Sequence, residues 1–234
     1  MTGRLENRIA LVTGASRGIG AAVAKRFAAE GAQVVLVART QGGLEEVDDA
    51  IREAGGNATL VPLDLQDFDA IDRLAAVLAE RYGKLDILVG NAAILGALSP
   101  MSHYEPKTWQ QVMDINLNAN WRLIRDFDAL LRESDAGRAM FVASGVVRNI
   151  RAYWGPYAAS KAALENMVLS WAAELSKTNV RANVIDPGRV RTGMRRQAYP
   201  GEDANKNPAP DEITDAFVSL AAPDCLQNGE IVKA

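Results

Sequence analysis

Short apolar runs alternate along the chain with longer segments in which apolar residues recur at helical spacing. The short runs are apolar at nearly every position, which is typical of parallel strands covered by helices on both faces. They predict six strands, at residues 9–12, 34–37, 59–61, 87–89, 139–142 and 180–185. We therefore expect a central sheet that is buried on both sides.

The segments between these runs predict helices. After Gly18, apolar residues at 19, 22, 23 and 27 form one helix face, and Gly31 marks its end. Further helices are predicted at 67–82, 107–131 and 155–176. Because β and α elements alternate without a break in composition, we expect one domain, residues 1–234, with an α/β fold. Its architecture would be a three-layer αβα, doubly wound parallel sheet, the Rossmann fold. Residues 189–210, rich in Arg, Pro, Gly and Asn, are predicted to form an irregular substrate lid.

Composition narrows the class of protein. The 234 residues are 48% hydrophobic and 24% charged, which is average for a globular chain and excludes a disordered one. Cys225 is the single cysteine and His103 the single histidine, so neither an intramolecular disulfide nor a Cys/His metal site is predicted. Residues 1–8 are polar and no apolar run is long enough to span a membrane. We expect a cytoplasmic protein with no membrane partner.

The net charge of −3 conceals a segregation of charge along the chain. Residues 138–200 contain ten basic and three acidic residues, whereas the segments on either side are acidic. The small net charge and the lack of an aromatic stacking platform argue against nucleic-acid binding. The basic stretch therefore needs a local explanation.

A glycine-rich turn follows the first predicted strand. Gly14, Gly18 and Gly20 stand between that strand and the first predicted helix. Glycines permit a tight turn and a close backbone approach, and a helix N-terminus favours a pyrophosphate. The alternative is a strand-to-helix turn that merely needs positive φ. The position directly after the first strand favours a dinucleotide site.

Two arginines indicate which dinucleotide is bound. No acid stands at the end of the second strand, where a carboxylate would bind a ribose 2′-hydroxyl. Arg39 stands there instead, and Arg17 lies in the glycine turn. Guanidinium groups suit a 2′-phosphate, so NADP(H) is the preferred cofactor and NAD(H) the alternative. The alternative interpretation is that Arg17 and Arg39 are ordinary solvated surface residues.

A candidate catalytic constellation lies in the second half of the chain. Tyr157 and Lys161 are four residues apart and share one helix face, so a phenol and an ammonium converge. The ammonium is expected to lower the pKa of the phenol. Ser144 follows the fifth predicted strand, at the sheet edge where ligands bind. Asn116 interrupts an apolar helix stripe, and it either serves the site or makes a structural hydrogen bond.

Together these residues resemble the short-chain dehydrogenase/reductase family, over nearly the whole chain. Residues 13–20 match its TGxxxGxG turn, and Asn91, Ala92 and Ala93 match its NNAG element, although Gly90 replaces the first Asn and Ala93 the Gly. Residues 186–188, Asp-Pro-Gly, match the segment that clasps the nicotinamide. The resemblance implies a catalytic tetrad of Asn116, Ser144, Tyr157 and Lys161.

The resemblance also implies what each residue does. Tyr157 would be the general acid in carbonyl reduction and the base in alcohol oxidation, and Ser144 would hydrogen-bond the substrate oxygen. Lys161 would contact the nicotinamide ribose, and Asn116 would hold a water. The implied cofactor-binding residues are Gly14, Ser16, Arg17, Gly18, Ile19, Gly20, Arg39, Asp64, Leu65, Asn91, Ala92, Ala93, Tyr157, Lys161, Pro187, Gly188, Val190 and Thr192, with Asp64 on the adenine. The chain is thus expected to be an NADP(H)-dependent oxidoreductase that acts on a small carbonyl or secondary alcohol.

The substrate and the assembly remain open at this stage. Six arginines lie in the two loops expected at the pocket mouth, at 148, 151, 189, 191, 195 and 196. They favour an anionic or acyl-carrier-linked substrate, as in a 3-oxoacyl reductase, or they are solvated lid charge. A non-catalytic NADP-binding sensor is the remote alternative. The resemblance further implies a homodimer or a homotetramer.

Overall fold

A parallel sheet of seven strands runs through the centre of the molecule. The computed structural model describes residues 3–234. The strand order is β3-β2-β1-β4-β5-β6-β7, with every neighbouring pair parallel. The strands are β1 Ile9–Thr13, β2 Gln33–Ala38, β3 Ala58–Pro62, β4 Ile87–Gly90, β5 Arg138–Val142, β6 Arg181–Asp186 and β7 Ile231–Lys233. The predicted fold class and the six predicted strands are confirmed; β7 was not predicted.

Helices cover both faces of the sheet. They are α1 Gly18–Ala29, α2 Gln41–Glu53, α3 Phe68–Tyr82, α4 Pro106–Met113, α5 Ala119–Arg132, α6 Gly155–Glu174, α7 Gly193–Ala198 and α8 Thr214–Ala221. The sequence prediction missed α2, because it buries only a narrow stripe that includes Leu44, Val47 and Ile51 among polar residues. It missed α8 as well, a short helix that packs against α1.

Two separate cores result from the alternation of side chains along the strands. On β1, Leu11 points into the core formed with α3, α5 and α6. Its neighbours Ala10 and Val12 point into the core formed with α1, α2 and α8. Each strand thus contributes to both cores, which is why its apolar run is nearly continuous.

Two predicted elements differ from the structure. The helix predicted at 107–131 is divided, because a π-helical turn at Asp114–Asn118 separates α4 from α5. The lid predicted to be irregular contains α7, whose N-terminus is capped by Thr192: its hydroxyl accepts a hydrogen bond from the N–H of Arg195 at 3.1 Å. A threonine at the start of a helix commonly provides such an acceptor. The Arg-rich composition of residues 189–210 did not predict this short helix.

The reversal of strand order between β1 and β4 opens a crevice at the carboxyl ends of the strands. The glycine turn, Asn91 and Ser144 all follow strands at this edge. Across residues 3–234, no helix is both long and apolar enough to cross a membrane.

Candidate active site

The turn between β1 and α1 has backbone angles that favour glycine. Gly14 and Gly18 have φ values of +66° and +58°. Beneath the turn, the Thr13 hydroxyl accepts hydrogen bonds from the N–H groups of Asn91 and Ala92 at 3.0 and 3.1 Å. The Asn91 amide donates to the Thr13 carbonyl at 2.8 Å. These bonds tie the ends of β1 and β4 together under the turn.

Gly20 has a different role from the other two glycines. It is buried, and a Cβ atom there would collide with the Gly14 carbonyl. Gly20 therefore allows α1 to pack closely against its own turn, and it does not line the cavity described below.

The N-terminus of α1 is suited to an anion. No side chain caps it, and its first turn contains no acidic residue. The N–H groups of a first helical turn have no partner within the helix, and the helix dipole places partial positive charge there. Ser16, Arg17, Gly18 and Ile19 line the cavity at this point, so a pyrophosphate fits the turn.

A second region of positive charge lies beside the N-terminus of α1. Arg17 and Arg39 are both exposed at the cavity edge. Arg39 Nη1 is 3.9 Å from Asp64 Oδ2, a loose contact between two half-exposed side chains. Thr40 precedes α2, whose N-terminus also lacks a side-chain cap and an acid in its first turn. Two guanidiniums and a helix N-terminus thus surround the place expected for the adenosine ribose.

One cavity of about 870 Å³ connects the glycine turn with Tyr157. Of the predicted catalytic residues, Ser144, Tyr157 and Lys161 line it and Asn116 does not. The predicted cofactor-binding residues that line it are Gly14, Ser16, Arg17, Gly18, Ile19, Arg39, Asp64, Leu65, Asn91, Ala92, Ala93, Tyr157, Lys161, Pro187, Gly188, Val190 and Thr192. Its volume and its lining, which reaches from the glycine turn to Tyr157, suit a dinucleotide.

Tyr157 and Lys161 lie one turn apart near the start of α6, with only 7% and 1% of their surface exposed. Burial raises the pKa of the Tyr157 phenol, a hydrogen bond from the Ser144 hydroxyl opposes that shift, and the charge of Asp186 adds to it. The phenol is therefore protonated at neutral pH, the form that donates a proton.

The expectation that Lys161 lowers the pKa of Tyr157 stays a prediction. Lys161 Nζ donates to the carbonyl oxygen of Val142 on β5 at 2.6 Å, and the groups that shift the pKa of the Tyr157 phenol are Ser144 and Asp186, beside its burial. Burial lowers the pKa of Lys161 itself to about 8. The spacing predicted that Tyr157 and Lys161 share one helix face. It could not predict that the Lys161 ammonium donates a hydrogen bond to a strand carbonyl.

Asn116 lies in the π-helical turn and is completely buried. Its side-chain oxygen accepts from the N–H of Ile94 at 2.8 Å, and its amide donates to the Ile94 carbonyl at 2.9 Å and to Ser160 Oγ at 3.1 Å. The Ser160 hydroxyl donates to the Tyr157 carbonyl at 2.8 Å. The sequence left open whether Asn116 serves the site or makes a structural hydrogen bond, and the structure shows structural hydrogen bonds. They join the loop after β4 to the helix of Tyr157.

The segment after β6 also lines the cavity. The Asp186 side chain accepts from the N–H of Gly188 at 3.1 Å, which fixes the turn at Pro187. Thr192 reaches toward the glycine turn, because a Cβ on Gly18 would lie 3.6 Å from its methyl group.

An apolar wall that the sequence analysis largely missed surrounds Tyr157. It includes Leu95, Val146, Trp154, Met194 and Ala198. The Trp154 ring meets the Tyr157 ring edge-on at 5.7 Å between centroids and lies 5.8 Å from the ring of Tyr199 on the lid. The position of Trp154 immediately before the Gly-Pro start of α6 was the available signal.

Most of the arginines expected at the mouth have partners. Arg148 pairs with Glu165 and Asp186, Arg151 donates to the Tyr199 hydroxyl, Arg191 to Asn205, and Arg195 to Glu202. The hydrogen bond from Arg195 lowers the pKa of Glu202 to about 2. Within residues 3–234, only Arg189 and Arg196 of the six make no side-chain hydrogen bond or ion pair, and of these two Arg196 lines the cavity. Of the six, only Arg148 and Arg195 pair with acids, whereas Arg151 and Arg191 bond neutral groups and keep their charge.

Comparison with known proteins agrees with this geometry. Residues 8–203 match the family model described as short chain dehydrogenase. The oxidoreductase YciK from Escherichia coli is 40% identical over 223 residues, covering 94% of this chain and 88% of that protein. A short chain dehydrogenase from Pseudomonas syringae has a TM-score of 0.96 and 42% identity, covering 100% of this chain and 96% of that one. A short chain dehydrogenase from Shigella flexneri, solved in complex with NADP, has a TM-score of 0.95 and 38% identity, with 100% and 99% covered.

Proposed function

The chain belongs to the short-chain dehydrogenase family, and from that premise we propose that it is an NADP(H)-dependent oxidoreductase that interconverts a carbonyl compound and a secondary alcohol. The observation that carries the proposal is the single cavity that runs from the glycine turn to Ser144 and Tyr157. When bound, the nicotinamide cofactor supplies or accepts the hydride.

The residues that would hold the cofactor fit it along the whole cavity. The glycine turn and the N-terminus of α1 would hold the pyrophosphate, and Asp64 the adenine. Arg17, Arg39 and the uncapped N-terminus of α2 would bind the 2′-phosphate, where an acid would repel it. The relative from Shigella flexneri solved with NADP supports the same preference. NAD(H) remains the alternative cofactor.

Tyr157 is the proposed general acid and base. In reduction, its phenol donates a proton to the carbonyl oxygen of the substrate, and in oxidation the phenolate takes the proton back. Its raised pKa favours the protonated form that reduction needs. The Ser144 hydroxyl would hydrogen-bond the same substrate oxygen as negative charge develops on it. Lys161 would reach the nicotinamide ribose, and Asn116 would support the site with a held water.

The apolar wall around Tyr157 favours a neutral, apolar carbonyl substrate. The alternative, a 3-oxoacyl substrate on a carrier protein or coenzyme A, would depend on Arg189 and Arg196, since the other mouth arginines are engaged. We keep a cytoplasmic location and a homodimer or homotetramer as further expectations.

A panel of carbonyl compounds, assayed with NADPH and NADH in parallel, tests this function. It should include neutral aromatic and aliphatic ketones and 3-oxoacyl thioesters. We expect turnover of neutral ketones, faster with NADPH at equal concentrations. Tight NADPH binding without turnover of any compound would favour the non-catalytic sensor, and turnover of the thioesters alone would favour the acyl reductase.

A further inference from the structure

Arg148 joins three segments that carry the active site. It follows Ser144 by four residues, at the end of the short helical turn Gly145–Val147. Its Nη1 donates to Glu165 Oε2 on α6 at 2.9 Å, and its Nη2 to Asp186 Oδ2 at the end of β6 at 3.2 Å. One guanidinium thus contacts the two elements that hold Tyr157 and the Pro187-Gly188 turn.

Both carboxylates in this network are buried. The side chains of Glu165 and Asp186 are only 6% and 10% exposed, whereas that of Arg148 is 41% exposed. Glu165 Oε1 has no hydrogen-bond partner in the part of the chain that the structure describes. Two carboxylates in so dry a place repel each other unless a cation lies between them, and Arg148 is that cation.

The network acts on the proposed acid through the charge of Asp186 and shares its helix. Glu165 is one turn beyond Lys161 and two beyond Tyr157 on the same helix. Asp186 acts on Tyr157 through its charge and disfavours the phenolate. A Cβ on Gly145 would lie 3.3 Å from Asp186 Oδ2, so the turn after Ser144 and the end of β6 are also in close approach.

From this arrangement we propose that Arg148 is a positioning residue of the active site. Its guanidinium holds the turn after Ser144, the helix of Tyr157 and the segment after β6 in one arrangement, and offsets the charge of Asp186 beside the phenol. The proposal rests on the proposed role of Tyr157, but its main test needs neither substrate nor cofactor.

The other groups around Tyr157 limit what else can move its titration. Lys161 faces it from the same helix, Ser144 from the turn after β5, and Asp186 from the end of β6. The lid contributes Tyr199, which reaches Tyr157 only through the Trp154 ring, and the loop after β4 contributes the apolar Leu95.

The test is an ultraviolet titration of Tyr157. Each variant is measured against its own Tyr157→Phe derivative, so that the difference in tyrosinate absorbance isolates this phenol. The network carries one net negative charge in the wild type, two in Arg148→Met, and one again in Arg148→Met/Asp186→Asn. We expect the titration of Arg148→Met to move to higher pH, that of the double variant to return toward wild type, and that of Asp186→Asn alone to move to lower pH.

Arg52→Met is the matched control. Arg52 pairs with the buried Asp48 at 2.8 Å on α2, so its loss also strands a buried carboxylate, but far from the phenol in the fold. We expect it to lower the melting temperature without moving the Tyr157 titration. Arg148→Lys, which keeps the charge, should stay near wild type.

Specific outcomes overturn the inference. It fails if Arg148→Met titrates as the wild type does, if Arg52→Met moves the curve equally, or if the ordering of the variants is absent at every pH. If Arg148→Met does not fold, the remaining variants still test the inference. Asp186→Asn should then titrate at lower pH than both the wild type and the double variant, and any other order overturns the inference. If the Tyr157 titration does not respond to these substitutions but the carbonyl panel shows turnover, only this inference is overturned. If the titration shows the expected order but no carbonyl compound is turned over, only the proposed function is overturned.

Discussion

At the scale of single residues, burial sets the protonation of the two groups at the centre of the site, Tyr157 and Lys161. Their spacing of four residues places both on one face of α6. Neither the carbonyl of Val142 that accepts from Lys161 nor the burial of both side chains could be read from that spacing. Burial depends on contacts between distant parts of the chain, and it sets the pKa values of both groups.

The buried Lys161 predicts a pH-dependent stability. Burial lowers its pKa from 10.5 to about 8, so below about pH 8 the folded protein holds an ammonium that the unfolded chain would solvate better. This cost shrinks as the pH rises from 8 and vanishes above 10.5. Relative to Lys161→Met, the free energy of unfolding of the wild type should therefore rise by up to about 3 kcal/mol across that window. Urea unfolding at a series of pH values measures it.

The exposed Lys177 is the control for that experiment. Lys177→Met should leave the pH dependence of stability unchanged. A Lys161→Met curve parallel to the wild type would show that the lysine titrates normally in the folded state.

Arg39 predicts cofactor selectivity at the same scale. Arg39→Ala removes a charge-assisted contact to a 2′-phosphate, so the Kd for NADPH should rise by about tenfold or more. The Kd for NADH, which has no 2′-phosphate, should change little. Fluorescence titration with both cofactors measures the ratio, and an equal loss for both would assign Arg39 a general role instead.

At the scale of elements, alternation of apolar runs predicted the strands that are buried on both faces. The same signal could not reveal β7, a three-residue edge strand whose side chains are largely exposed. Nor could it reveal the π-helical turn at Asp114–Asn118, because a single added residue leaves the apolar stripe nearly unchanged. That turn carries Asn116, so the element missed by pattern alone lies at the site.

Gly90 shows how element packing explains a departure from the family pattern. It stands opposite Phe141 in the register of β4 and β5. A Cβ there would collide with the Phe141 ring and lie 2.6 Å from Asn120 Oδ1. The space that an asparagine would need at this position is filled from the neighbouring strand and from α5.

Gly90→Ala should therefore lower the free energy of unfolding by about 1–3 kcal/mol through overpacking. Gly42→Ala is the matched control, since a Cβ at Gly42 on α2 meets nothing within 4 Å. It should be neutral or stabilise by about 0.5–1 kcal/mol. Chemical denaturation of both variants measures these changes. Overpacking at Gly90 is excluded if Gly90→Ala is as stable as the wild type.

At the scale of the whole molecule, the fold pairs two of the six mouth arginines, Arg148 and Arg195, with acids that are distant in sequence. Counting residues along the chain could not reveal this, because Glu165, Asp186 and Glu202 reach the mouth arginines from three different elements. The other four arginines pair with no acid in the part of the chain that the structure describes, so the mouth keeps positive charge. The residues packed around Tyr157 are nevertheless apolar.

Reduction of neutral ketones should accordingly depend little on salt. We expect kcat/KM for a neutral ketone at saturating NADPH to vary less than about twofold between low and physiological ionic strength, since no charged substrate is steered. Arg196→Gln should not change it. A steep fall with salt for a 3-oxoacyl thioester, absent in Arg196→Gln, would favour the anionic substrate instead.

Tyr157→Phe shows whether Tyr157 transfers the proton during NADP(H)-dependent carbonyl reduction. The variant keeps the ring that packs against Trp154 and loses only the hydroxyl. The measurement is NADPH affinity and turnover of the best ketone from the panel, for wild type and variant side by side. We predict a Kd for NADPH within about threefold of wild type and a loss of turnover of at least about a hundredfold. Turnover equal to that of the wild type, with the same ketone and cofactor, would show that Tyr157 is not the proton donor.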